Sequence, residues 1–428
     1  MRDGIFMLVI LAALPMALRY PHIGLLAWCW ISNMLPHRAT FGFASTLPVN
    51  AIISAVTLVG IAASKDRRMP PWNSFTMAAL ALILWTGVTT AGAFDVSWST
   101  EYFTRTAKMW FYVMLVMMVM YDRVRIHALV WMMVMSMGYY GVKGGLFLVA
   151  TAGAYRVEGP PDTAYSDNNT LALAVVMVLP LMVYLLRQSR NRLAHIGLWL
   201  AMLTSVLAIL GSYSRGGFIA LGIVMALIWA QSRHRLRTAL GAAVIGAAVL
   251  SAMPSQYFER LSTIRDAKHD ESFQGRTRSW GLALTIAQER LTGAGFYGPQ
   301  RPEVYNHYLP DQTPLAAHSI YFQVLGEHGF IGLGLFLLTA LMAWRQAGVV
   351  IRCTAGRPEW LWANDLMRLS RVSLVGYYIG GAALSVAYFE ITWTLWGLAA
   401  VLYEQIRPLR SPAKPQGLTA SLATGKAG

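Results

Sequence analysis

The sequence predicts an all-α integral membrane protein, a polytopic helical bundle of about 12 transmembrane helices with one large helical loop on the outward side. Three observations carry that prediction. Hydrophobic residues make up 56% of the 428 residues against 13% charged, and the mean hydropathy of +0.46 lies well outside the soluble globular range. Apolar runs recur along nearly the whole chain. Arg and Lys cluster in alternate loops, the pattern left by membrane orientation. The net charge of +15 therefore reports topology, and nucleic-acid binding is discounted.

Apolar segments fall at 4–18, 22–35, 47–64, 73–94, 107–120, 127–150, 169–186, 194–211, 217–230, 238–253, 318–343, 367–386 and 389–403. A bilayer core takes about 20 helical residues, so the first two pieces, broken by Pro15 and Pro21, are short and read as one broken crossing. The alternative is two crossings with an outward amino terminus. Met1-Arg2-Asp3 opens like a signal peptide, but no small-residue cleavage site precedes Arg19, and the segment is expected to be retained.

The basic clusters are Lys65-Arg67-Arg68, Arg123-Arg125, Arg187-Arg190-Arg192, Arg233-Arg235-Arg237, Arg345-Arg352-Arg357 and the tail from Arg407. Their loops are expected to be cytoplasmic, which leaves 151–168, Ser212 to Gly216 and 254–317 outward. The chain thus divides into a transmembrane bundle over 1–253, a loop domain over 254–317, further transmembrane helices over 318–407 and a disordered cytoplasmic tail over 408–428. Within the loop domain, Trp280, Leu284, Ala287 and Leu291 form an amphipathic stripe, and Gly293 and Gly295 end that helix. Gly275-Arg276-Thr277-Arg278 is placed just before it, where free N–H groups favour an anion.

Thr313 and Pro314 read as an N-cap and first helical position, so His318 is expected about one turn inside a helix. Tyr321, Phe322 and Leu325 would share its face, and Glu327 would lie opposite. A lone histidine there is either a titratable catalytic group or a hydrogen-bonded structural one. His328, ten residues further and near a glycine-rich turn, reads equally as such a group or as a packing residue, and Asp167 as a cap for the next helix or a contact for sugar hydroxyls.

Outward basic residues oppose the orientation rule and suggest a bound anion, although each could also snorkel or pair with an acid. They are Arg156, Arg215, Arg276 and Arg278. Guanidinium forks suit phosphate oxygens. Cys29 and Cys353 supply neither a disulfide framework nor a zinc site, and no nucleotide or metal motif appears.

The runs SYSRGG, GRTRSW and AAHSIYFQVLGEHGFIG, with the long outward loop, resemble the O-antigen ligase and polymerase superfamily. The amino-terminal runs NMLPHRATFGFA, YGVKGGLF, YRVEGPP and DNN are similar to exosortase-associated O-glycosylation ligases. The likeness covers the chain to about residue 407. It implies a membrane glycosyltransferase of the C class in the bacterial inner membrane, working on the periplasmic face with an undecaprenyl-pyrophosphate glycan as donor. Lipid A core or another glycan is the implied acceptor, membrane lipids are the surroundings, and no cofactor or metal is called for. Carried over by position, Arg215 and Arg276 bind pyrophosphate and His318 is catalytic. Arg156, Arg278 and Arg301 are added as further pyrophosphate contacts. A polymerase or protein glycosylation ligase shares these features, and a lipid-linked glycan transporter is the rival of another class.

Overall fold

A computed structural model of the chain describes residues 2–40, 42–161, 163–232 and 271–410. The expected span at 238–253, the cluster Arg233-Arg235-Arg237, residues 254–270 of the loop domain and the tail from 411 lie outside the described residues. All regular structure among the described residues is helical.

The chain opens with α1 (Arg2–Arg19) and α2 (Pro21–Met34). These two are an antiparallel hairpin rather than one broken crossing. The Phe6 and Trp30 rings lie 6.1 Å apart, and Asp3 Oδ1 accepts from the Gly42 and Ala44 amides at 3.1 Å, beyond the far end of α2. Pro21, fixed in φ and lacking an N–H, starts the second helix immediately after Tyr20 and lets the chain reverse there.

There follow α3 (Val49–Ala63), α4 (Ser74–Ala91), α5 (Val96–Val119), α6 (Arg123–Ala150), α7 (Asn168–Gln188), α8 (Arg192–Gly211) and α9 (Arg215–Ala230). After the undescribed stretch come α10 (Glu271–Glu289), α11 (Pro302–Tyr308), α12 (Ile320–Cys353), α13 (Leu361–Gly380) and α14 (Glu390–Gln405). Among the described residues α4, α6, α7, α8 and α12 are long and apolar enough to cross a membrane, and α3 and α9 are shorter apolar helices. α5 has the length, but Glu101, Arg105 and Lys108 interrupt its apolar run.

α7 is the axis of the bundle, with 83% of its apolar window buried against 33% for α4 and α8. Its sequence is apolar on every face, as a helix surrounded by others requires. α13 packs on α7 and α9, α12 on α4 and α14, and α6 on α8. The last pair approaches closely because Gly141 and Gly145 leave no side chain in the way: a Cβ there would lie 2.1 Å from Ser205 Oγ and 2.2 Å from the Thr204 carbonyl oxygen.

The basic loops meet at one end. Arg125 pairs with Asp66 and Asp122, Arg187 with Asp365, and Arg68 lies over the Tyr121 ring. The opposite end carries 151–161, 163–167, 212–214, 381–389 and the segment 290–319.

Glycine breaks α12 there. Gly329 has φ 67° and ψ −173°, so the helix stops and restarts across it. The carbonyls beside the break take donors from elsewhere: Gly326 from the Ala294 amide, Glu327 from the Gly295 amide and His328 from Trp85 Nε1–H, each at 2.9 Å. The arm 290–297 thus lies in the break. Arg290 secures it by donating to the Gly92 carbonyl at 2.6 Å and covering the Phe94 ring.

A Cβ on Gly329 would meet the Leu291 carbonyl oxygen at 2.2 Å, besides the cost of about 1–3 kcal/mol for holding a side chain at that φ. Gly329→Ala is therefore expected to lower the melting temperature in detergent, while Gly334→Ala, with nothing near its Cβ position, leaves it unchanged or raised. Equal melting of the two variants would remove the break from the account.

Candidate active site

The structure moves His318 out of the helix in which sequence reasoning placed it. α12 begins at Ile320, with Ser319 as its flanking residue, and the run before it is not helical. The Thr313-Pro314 signal is overridden because α10 claims the carbonyls a helix would need. Trp280 Nε1–H donates to Ala317 O at 2.7 Å, and Ser279 Oγ–H reaches Leu315 O at 3.3 Å. Arg278 donates to Gln312 at the start of that run. The face relations counted from His318 to Tyr321, Phe322, Leu325 and Glu327 lapse with the helix.

His318 itself has φ 43°, a left-handed conformation unusual for a side chain of this size. It is half-buried. Backbone held in this way costs about 1–3 kcal/mol and persists only where the surroundings over-determine it.

Arg276 stands five residues inside α10, not ahead of it, so free helix-end amides are not what it offers. The buried face of that helix is Ser279, Leu282, Ala283, Ile286 and Ala287. Leu284 and Leu291, assigned to the stripe from sequence, are exposed; the stripe was displaced by part of a turn. The correct register puts Arg276 on the side of His318. Burial lowers the His318 pKa from its ordinary 6.5, the Arg276 charge lowers it further, and Asp167 opposes both. The imidazole is therefore neutral near pH 7, with a lone pair available.

Arg215 is the first residue of α9 and exposed, and Ser214 caps that helix by accepting from the Gly217 amide at 3.0 Å. A guanidinium and the positive end of a helix dipole thus coincide. A contiguous arc joins this point to His318. Cβ atoms built on Gly216 and Gly381 would lie 3.8 Å from Ala383 and 3.0 Å from Ile320, two residues past the histidine. Asn168 Nδ2–H donates to Ser212 O at 2.7 Å, which sets Asp167, the N-cap of α7, beside the same turn.

Not every arginine joins this group. Arg156 is exposed on a non-helical segment tied to the α8 end by Val157 N–H to Gly211 O at 2.8 Å. Arg278 is exposed and turned to Gln312. Arg301 is held by Asp95 at 2.9 Å, by Glu303 at 3.4 Å and by the face of Trp98, which is a structural clamp on the loop between α4 and α5.

Glu327 and His328 sit at the break, both buried. Tyr388 Oη–H donates to Glu327 Oε2 at 2.9 Å and lies 2.7 Å from His328 Nε2, while His328 Nδ1 is 2.6 Å from Thr89 Oγ1. With Tyr388 donating to the carboxylate, His328 Nε2–H donates to the tyrosine oxygen, and Nδ1 meets a Thr89 hydroxyl that also reaches the Thr86 carbonyl at 3.0 Å. His328 is thus a hydrogen-bonded strut rather than an apolar packing residue. No group of three or more metal-ligating side chains is found among the described residues.

Comparison with protein families matches residues 200–337 to the O-antigen ligase family and residues 1–190 to a family of unknown function (DUF5935). The first match spans Arg215, Arg276, Arg278, Arg301 and His318. No curated protein matches the chain. Residues 200–337 are thus similar to a ligase or polymerase type of domain, in a chain with several helices long and apolar enough to cross a membrane.

Trp280 was read from sequence only as part of a stripe, yet it is what fixes the segment carrying His318. Its ring also stacks on Phe322 at 5.0 Å. One hydrogen bond and one aromatic pair together contribute about 1–3 kcal/mol, or about 5- to 150-fold in the population of the opened segment. Trp280→Ala should raise the rate of limited proteolysis within 309–318 by a factor in that range; an unchanged rate would show that α10 does not hold the segment.

Proposed function

From the similarity of residues 200–337 to the O-antigen ligase family, we propose that this protein transfers a glycan from undecaprenyl pyrophosphate to the lipid A core oligosaccharide on the periplasmic face of the inner membrane. The observation that carries the proposal is the grouping of a neutral, partly buried His318 with Arg276, near the helix start bearing Arg215. The positive-inside rule supports the sidedness, because the site lies at the end opposite the basic loops.

His318 removes the proton of the acceptor hydroxyl as that oxygen attacks the anomeric carbon. The new C–O bond forms on one face while the bond to the phosphate oxygen breaks on the other, so the configuration inverts. Undecaprenyl pyrophosphate leaves with the bonding pair, and Arg215 and Arg276 stabilise the charge that grows on it. Guanidinium groups keep their charge at any working pH and meet phosphate oxygens in pairs. The donor is already activated, so the reaction needs neither ATP nor a divalent cation.

A polymerase or protein-glycosylating ligase would use the same residues toward another acceptor. Purified protein supplied with lipid-linked glycan and core lipid separates these readings by product. In that assay His318→Ala is expected to keep its fold and its donor binding while turnover falls about 10²–10⁴-fold, the contribution of a general base. Near-normal turnover in His318→Ala, with loss in His307→Ala instead, would move the base elsewhere.

A further inference from the structure

At the end of the basic loops, α12 and α13 bring two arginines together over Gly348. A Cβ built on that glycine would lie 3.5 Å from Arg371 Nη2, 3.6 Å from Arg371 Nη1 and 3.6 Å from Arg352 Nη1. Arg371 is half-buried, with its guanidinium over the Trp344 ring at 3.9 Å from the centroid. Among the described residues neither arginine meets a carboxylate, and Arg371 Nε, shielded from solvent, has no hydrogen-bond partner. Other arginines at this end are neutralised: Arg125, Arg187 and Arg407 each pair with an acid. Asp365, the acid on α13, is taken by Arg187 and Gln188. Two like charges held this close repel each other, and an anion between them turns the repulsion into attraction.

Depth along the helix says which anion. Spacings of four, four, three and four put Leu337, Leu341, Arg345, Gly348 and Arg352 on one face of α12. Leu337 and Leu341 are exposed on that face, as lipid-facing residues are, and Arg345 and Arg352 are exposed beyond them. A stripe that turns from leucine to arginine, with Trp344 at the change, is the pattern of a helix leaving the hydrocarbon at the level of the headgroups. Stacking on Trp344 occupies one face of the Arg371 guanidinium and leaves its Nη atoms on the side of Arg352. Guanidinium edges of this kind meet phosphate oxygens in pairs.

We propose that Arg352 and Arg371 bind the phosphate of an anionic phospholipid, with an acyl chain laid along Leu341 and Leu337. The positive-inside rule puts this lipid in the cytoplasmic leaflet. The site is independent of the transfer reaction: it lies at the opposite end of α12 from Gly329 and uses none of the residues assigned to that chemistry. By bridging a residue of α12 and a residue of α13, the phosphate also ties the two helices together where the loop 354–360 joins them.

The test is a titration of purified, delipidated full-length protein in neutral detergent, with the first bound lipid counted by native mass spectrometry. Phosphatidylglycerol is compared with zwitterionic phosphatidylcholine of the same acyl chains. One arginine beside an anionic headgroup is worth about fivefold in affinity, so two give wild type a preference of about 25-fold. Arg352→Gln should cut the preference to about fivefold. Arg352 is exposed, so its replacement leaves a folded protein to measure. Arg357→Gln removes the same charge from the exposed loop beyond α12 and should keep the wild-type preference. Inorganic phosphate in large excess should fail to displace the lipid, because it has no chain to lay along the leucines. Equal binding of the two lipids, an unaltered preference in Arg352→Gln, an equal fall in Arg357→Gln, or displacement by inorganic phosphate would each overturn the site.

Discussion

The arrangement depends on the interruption of α12 at Gly329 and on what fills it. A helix broken inside a membrane bundle exposes carbonyls that lipid cannot satisfy, and each would cost several kcal/mol if left alone. Here the amides of Ala294 and Gly295 and the indole of Trp85 satisfy them. The arm that brings those amides is the continuation of α10, so satisfying the break also docks the outer segment on the bundle. Gly293 and Gly295, at φ 64° and 84°, let the backbone pass where a Cβ on Gly293 would meet the Glu327 carbonyl at 2.7 Å.

Docking has electrostatic consequences. α10 carries Arg276 to one side of His318, and the arm carries Tyr297 to Glu327 on the other. The charge of Arg276 lowers the His318 pKa, and that of Asp167 raises it. Clustered guanidinium groups also account for charge neutralisation without a divalent ion.

Much of this was legible in sequence because composition and charge alternation are averages over many residues. The membrane class, the alternate basic loops and the placing of Arg215, Arg276 and His318 at the end opposite those loops follow from hydropathy and Arg placement alone. What escaped depends on single long-range hydrogen bonds. Thr313-Pro314 is a sound local helix start, and only the indole of Trp280, 37 residues away from Ala317, shows why it fails. The α10 register slipped because its buried face is built partly of Ala283, Ala287 and Ser279, which carry little hydrophobic signal. The hairpin of α1 and α2 was hidden by two prolines that read equally as a kink or a reversal. Glu327 was set aside on helical geometry counted from the wrong start. Gly329, three residues from Gly332 and following Glu327-His328, was the one local sign of a break.

The central claim is that His318 acts as a neutral base whose proton affinity is lowered by burial and by Arg276. The pH dependence of kcat/KM tests it most directly. A base must be unprotonated to work, so activity should be lost as pH falls through the His318 pKa, with a midpoint below the ordinary 6.5. Removing the Arg276 charge relieves the imidazolium, so Arg276→Gln should move that midpoint upward while Asp167 still favours the protonated form. A wild-type midpoint at or above 6.5, or one that stays in place in Arg276→Gln, would contradict the account.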